Sequence, residues 1–404
     1  MRDGSGTAGA LEALAPEFRL LCLAARQPQR PADAAVLRAM VAAGVDWQAV
    51  AKGARQHRVE PLVLAGLQAC RAPETPPDVL AALRHGSIAA TRQSLAQAAE
   101  VARLSRLFAA AGVRMMVLKG VVLSQQLYGN LSTRGAGDID LLVDPADFWT
   151  ADGVLAGAGY RPAGAPVSAA RRTASQRMFK DLMYRHEADG HLVELHQRLT
   201  DNPHRLRTDF ASLWRDREEV ALGGATIATL PRSMLPLYLC VHGASHCWER
   251  LRWLADLTVL LKDADGVAAA LALADAAGVG AAMRRAAILG HDWLDLPVPG
   301  PLLSMSPDRR RAARFAAHLF AGPGWLDGPP HGSVAWFVRE MRRRGHRYTL
   351  KGGWRHALRE FRVDLEYPID WSLLPLPDRL LWLYPVLRPF GWVVRNARRW
   401  RSRR

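Results

Sequence analysis

The chain has 404 residues, 49% of them hydrophobic and 23% charged, enough for two or three domains with a sizeable core. That balance excludes a mostly disordered chain, and no run of about eighteen uninterrupted apolar residues marks a transmembrane helix. The net charge is +16, and half of it sits in one place: from Arg379 onward there are eight Arg and no acidic residue. Cys22, Cys70, Cys240 and Cys247 lack CxxC spacing, which fits reduced thiols better than a disulfide framework or a zinc site. The first residues lack the basic and apolar regions of a signal peptide, so a cytoplasmic protein is expected.

Residues 1–95 read as a helical region. Leu11, Leu14, Phe18, Leu21 and Cys22 recur at helical spacing, and 33–45 and 46–56 are Ala-rich and amphipathic. Trp47, Leu62 and Leu67 are expected in the core, and Pro76-Pro77 precedes a helix at 78–84. A longer helix at about 92–111 should end at Gly112. Val113 to Leu118 then reads as a buried strand running into Lys119-Gly120, followed by a short helix from Val121 to Tyr128. A loop leads to a second strand through Asp138, Asp140 and Val143. Asp144-Pro145 starts the next helix, with Asp as N-cap and Pro at the first position. Residues 161–175 read as a loop. Met178 to Arg185 and His191 to His196 form a hairpin, and Gly223-Gly224 suggests another. The order predicts a small mixed sheet with helices over 96–230. From Pro231 to the end the reading is helical again, with Gly/Pro-rich sequence at 322–330 and prolines from 368 onward preventing any long helix.

The centre of this pattern is Arg134-Gly-Ala-Gly-Asp138-Ile-Asp140-Leu-Leu-Val143. Residues two apart on a strand share a face, so Asp138 and Asp140 would stand together at the strand's mouth. Their mutual repulsion is relieved by a divalent cation, although a bare Asp-x-Asp also ends ordinary strands. Lys119-Gly120, between strand and helix, suits phosphate. Leu192, Glu194 and His196 share one face of a third strand. Three carboxylates on neighbouring strands beside a phosphate-binding turn meet the requirements of metal-assisted phosphoryl transfer, with Mg²⁺ or Mn²⁺.

With Val117-Leu-Lys-Gly120, Leu127-Tyr128, the Asp-Ile-Asp strand, Val193-Glu-Leu-His196 and the segment from His242 to Asp256, the chain resembles the uncharacterised bacterial nucleotidyltransferase family of the polymerase β-like superfamily. The resemblance covers roughly 10–320. It implies an α+β fold, a mixed-sheet nucleotidyltransferase core (96–230) between helical regions (1–95 and 231–404). It implies Asp138 and Asp140 as catalytic metal ligands, Glu194 as ligand or general base, and Lys119 and Gly120 in the phosphate turn. The superfamily's usual Gly-Gly or Gly-Ser turn is Lys-Gly here.

Arg134 is a second candidate for nucleotide phosphate, or a partner for Asp138 or Asp140. His196 is a candidate for the substrate cleft. His242 and His246, at i and i+4, suit helix packing or a cleft better than metal, because no third ligand is evident. Arg252 and Asp256 read as a helix-surface pair near the cleft. The expected reaction moves a nucleoside monophosphate from a nucleoside triphosphate to a hydroxyl on a small molecule, sugar, peptide or protein. The alternatives are a non-catalytic nucleotide-binding component, or a phosphotransferase. Leu380 to Arg404, rich in Arg and Trp, reads as a solvated tail or as peripheral contact with anionic membrane or another polyanion.

Overall fold

The computed structural model describes residues 11–71, 74–164, 167–304, 307–312, 325–330, 333–351, 353–365, 376–388, 390–391 and 394. The basic tail beyond 394 and most of 307–320, part of the helical reading from Pro231 onward, lie outside the described residues. The chain divides into two compact units. One comprises Met1–Ala99, Val121–Ala136 and Arg232–Gly328; the other comprises Glu100–Gly120, Gly137–Pro231 and Pro329–Arg404.

The first unit is helical. Its N-terminal helices, Pro16–Ala24, Pro31–Ala43, Trp47–Gln56 and Glu60–Cys70, open on proline or on the cap of Asp46, which accepts from the Ala49 amide at 3.0 Å. Their apolar faces meet around Phe18, which is fully buried against His57 and, edge-on, Trp293, with ring centroids 5.1 and 5.4 Å away. Leu62 and Leu67 belong to this core, whereas Trp47 is only half-buried. The sequence from Leu235 to Leu261 forms two helices, Leu235–Ser245 and Leu251–Leu261. The break falls at Cys247 and Trp248, both left-handed at φ 56° and 50°, where Trp248 turns back over Gly243.

The second unit contains a seven-stranded mixed sheet: β1 (Met115–Val117), β2 (Ile139–Val143), β3 (Tyr160–Pro162), β4 (Asp181–His186), β5 (Leu192–His196), β6 (Glu218–Leu222) and β7 (Ala225–Thr229). Their order is β3-β4-β5-β2-β1-β7-β6. β2 runs parallel to β5 and β1 parallel to β7; the other neighbours are antiparallel. The α+β class and the mixed sheet are as expected, with helices before and after the sheet in sequence.

Four local readings are corrected. The stretches 78–84 and 92–111 are one helix, Pro77–Ala110, because nothing between them breaks it. Tyr160–Pro162 is an edge strand and Arg172–Met178 a short helix where a loop was expected. Their brevity hides the periodicity that would mark them. Val334–Tyr348 and Trp354–Leu365 are regular helices, since the prolines begin only at Pro368.

The register of β2 on β5 positions the site. Asp140 lies opposite Glu194, and Leu141 opposite Leu195. Alternation sends the two acids to one face and the two leucines, both fully buried, to the other. Leu195→Ala should therefore destabilise the protein by about 2–5 kcal/mol, measured by urea denaturation.

Candidate functional site

β2 and β5 place three potential ligand groups on one face of the sheet. Asp140, Glu194 and His196 each offer one atom, and these atoms lie within 4.8 Å of one another. Asp140 is fully buried, and the His196 and Glu194 side chains are 2% and 19% exposed. His196 Nε2 lies 3.3 Å from Asp140 Oδ1 and 3.3 Å from Glu194 Oε2, so one imidazole bridges both acids. Lys119, just after β1, reaches Asp140 Oδ1 with its ammonium at 2.9 Å. Antiparallel pairing of β4 with β5 sets Asp181 opposite His196, and Asp181 Oδ2 lies 3.6 Å from Nδ1. Asp181 in turn is paired with Lys180.

These charges hold one another. Burial opposes the charge on Asp140, but Lys119 and His196 outweigh it and keep its carboxyl well below the usual carboxylate range. Burial and Lys180 oppose the charge on His196. Asp181, Asp140 and Glu194 prevail, and its pKa is raised to about 9. Lys119 is likewise raised despite burial, by Asp140, Asp138 and Glu194. Lys119, expected to face phosphate, is seated on Asp140 as a buried counter-ion.

Asp138 precedes β2, which begins at Ile139, and it stands outside the group of three. It contributes to the field at Lys119. Gly120 adopts φ 71°, a left-handed conformation that its lack of a side chain permits. Arg134 belongs to the helical unit, where its Nε donates to Asp256 Oδ2 at 2.8 Å and both side chains are buried. Tyr128 donates to the other oxygen of Asp256 at 3.2 Å. The expected surface pair of Arg252 with Asp256 is thus replaced. Arg252 is buried and donates to the Gly135 carbonyl. Its pKa is lowered to about 9 by burial and by Arg134, against the opposing pull of Asp256. His242 and His246 do not share one helix, because the helix ends at Ser245. Their rings are 4.8 Å apart and both contact Trp253, at 5.1 and 5.2 Å, in an aromatic cluster.

A model of the uncharacterised nucleotidyltransferase family matches residues 43–295. The chain belongs to this family. No curated protein and no solved structure matches it. The matched span includes β1 to β7 and every residue named above as a candidate for the chemistry.

The residues fit a divalent cation. Asp140 Oδ2 is buried and has no hydrogen-bond partner among the described residues, a costly state for a carboxylate oxygen unless a cation satisfies it. Glu194 lies opposite in the register with a partly exposed carboxylate. Asp181 and Lys180 were not anticipated as neighbours of this group. No sequence signal marked them; the register of β4 on β5 sets Asp181 opposite His196, with Lys180 next to it.

Because Asp140 balances buried Lys119 and His196, Asp140→Ala should cost about 3–5 kcal/mol by stranding the two cations. Adding Lys119→Met should restore part of that loss. Urea denaturation of the single and double variants should give a coupling of about 1–3 kcal/mol; strictly additive losses would contradict the pairing.

Proposed function

We propose that the protein transfers a nucleoside monophosphate from a nucleoside triphosphate to a hydroxyl-bearing acceptor and releases pyrophosphate, in the manner of polymerase β-like enzymes. The observation that carries this reading is the buried, unpartnered Oδ2 of Asp140 beside the Glu194 carboxylate, in a chain of a nucleotidyltransferase family. Asp140 and Glu194 would hold Mg²⁺ or Mn²⁺, with Asp138 at the strand mouth as the further carboxylate. Such a cation supplies charge neutralisation at the phosphate oxygens and a lower pKa for the acceptor hydroxyl.

The chain's own residues do the rest. Glu194, the more exposed of the two opposed acids, takes the acceptor's proton. The acceptor oxygen bonds to the α-phosphorus. The bond from that phosphorus to the bridging oxygen breaks, and pyrophosphate leaves with the electron pair. Lys119 and Gly120 form the turn that receives the triphosphate, Lys119 as a point charge in place of the superfamily's hydroxyl. His196, bonded to both acids, holds their carboxylates in register. The acceptor is a small molecule, sugar, peptide or protein carrying a free hydroxyl.

Incubation with α- and γ-labelled triphosphates, Mg²⁺ and a pool of acceptors tests the reading. The α-label should move to an acceptor in wild type, with pyrophosphate released. Asp140→Asn and Glu194→Gln should lower this by about 100-fold or more. Transfer of γ-label would replace the reading with phosphotransfer, and carboxylate-dependent nucleotide binding without turnover would replace it with a binding role.

A further inference from the structure

A helix that packs on a water-soluble domain normally turns its apolar stripe inward. Trp354–Leu365 does the reverse. Its buried residues are His356 and Glu360, while Trp354, Leu358 and Phe361 are 72%, 57% and 52% exposed. The inward face is polar by design of its contacts. Glu360 takes bonds from Arg205 Nε and from Asn202, both at 2.7 Å, and just before the helix Lys351 donates to the His204 carbonyl at 2.8 Å.

The helix Val334–Tyr348 buries none of its residues, and Val334, Phe337, Val338 and Met341 are all exposed at helical spacing. The two helices are joined by Arg347 and Tyr348, which both bond to Asp364, at 2.8 and 2.9 Å. Residues 333–365 carry eight Arg and one Lys against three acids. Each acid is already neutralised: Glu340 by Arg344, Glu360 by Arg205 and Asp364 by Arg347. On the second helix, exposed Arg355, Arg359 and Arg362 follow Trp354, Leu358 and Phe361 by one residue each, so a cationic ridge runs beside the apolar one.

We propose that this helical hairpin docks on the surface of an anionic lipid bilayer. The apolar ridge enters the headgroup and acyl boundary, the aromatic residues lie at headgroup level, and the arginines meet the lipid phosphates. Charge selects this occupant. A second copy would bring two strongly cationic faces together, and the chain's own tail from Arg395 is equally Arg-rich. A nucleic acid would use the arginines and leave the apolar ridge in water. Exposed apolar side chains recur along both helices: Val334, Phe337, Val338 and Met341 on the first, and Trp354, Leu358 and Phe361 on the second.

The test uses the full chain in EDTA without nucleotide, so its outcome is independent of the nucleotidyl-transfer reading. Flotation with phosphatidylcholine vesicles is compared with vesicles that also contain phosphatidylglycerol. Wild type should float only with the anionic vesicles. Trp354→Ser/Leu358→Ser/Phe361→Ser and Arg355→Gln/Arg359→Gln should each weaken binding by about tenfold or more, with circular dichroism unchanged. Equal flotation by wild type and both variants would overturn the proposal, as would no flotation at all. A dimer that the apolar variant dissolves would assign the face to a second copy. RNA binding lost only in the arginine variant would assign it to nucleic acid.

Discussion

The burial of one carboxylate organises the sheet unit. Asp140 has no exposed surface, and an ionised group in that position requires compensating charge. Lys119 and His196 meet one of its oxygens, and the other has no hydrogen-bond partner among the described residues. The strand order makes this arrangement geometrically available. β2 lies between β1, which delivers Lys119, and β5, which carries Glu194 and His196. β4 then supplies Asp181 from the far side of β5. On the proposed reading, the same cations that stabilise Asp140 would have to yield or share it when a metal and a triphosphate bind, so the Lys119 pair would enter the binding equilibrium as well as the fold.

Much of this was legible in the sequence. Period-two alternation in Val193-Glu-Leu-His196 put Glu194 and His196 on one face, and the Asp-Ile-Asp spacing marked the strand beside it. What alternation cannot reveal is which strand neighbours which. Register alone brings Asp181 to His196, and it makes His196 a member of the central group while Asp138 stands just before the strand. Partners distant in sequence were likewise beyond reach: Arg134 pairs with Asp256, 122 positions away, instead of with the acids that follow it. Nor does helical spacing predict a break such as that at Cys247-Trp248, which depends on the close packing of Trp248 on Gly243.

The two units spend their buried charges differently. In the helical unit, both oxygens of Asp256 are taken by Arg134 and Tyr128, an arrangement that locks the loop after the helix Val121–Tyr128. In the sheet unit one carboxylate oxygen stays unpartnered among cations. The first pattern fits a structural tie; the second fits a ligand. The hairpin at 333–365 adds a third use, in which buried polar contacts secure a helix so that its apolar side faces outward.

The most direct measurement is anomalous diffraction from crystals of the wild-type protein grown with Mn²⁺. The account predicts a peak within ligand distance of Asp140 and Glu194, at about 2.0–2.3 Å from their oxygens. It also predicts that the peak is lost in Asp140→Asn. Saturating Mn²⁺ with no peak at these residues, and Lys119 still seated on Asp140, would contradict it.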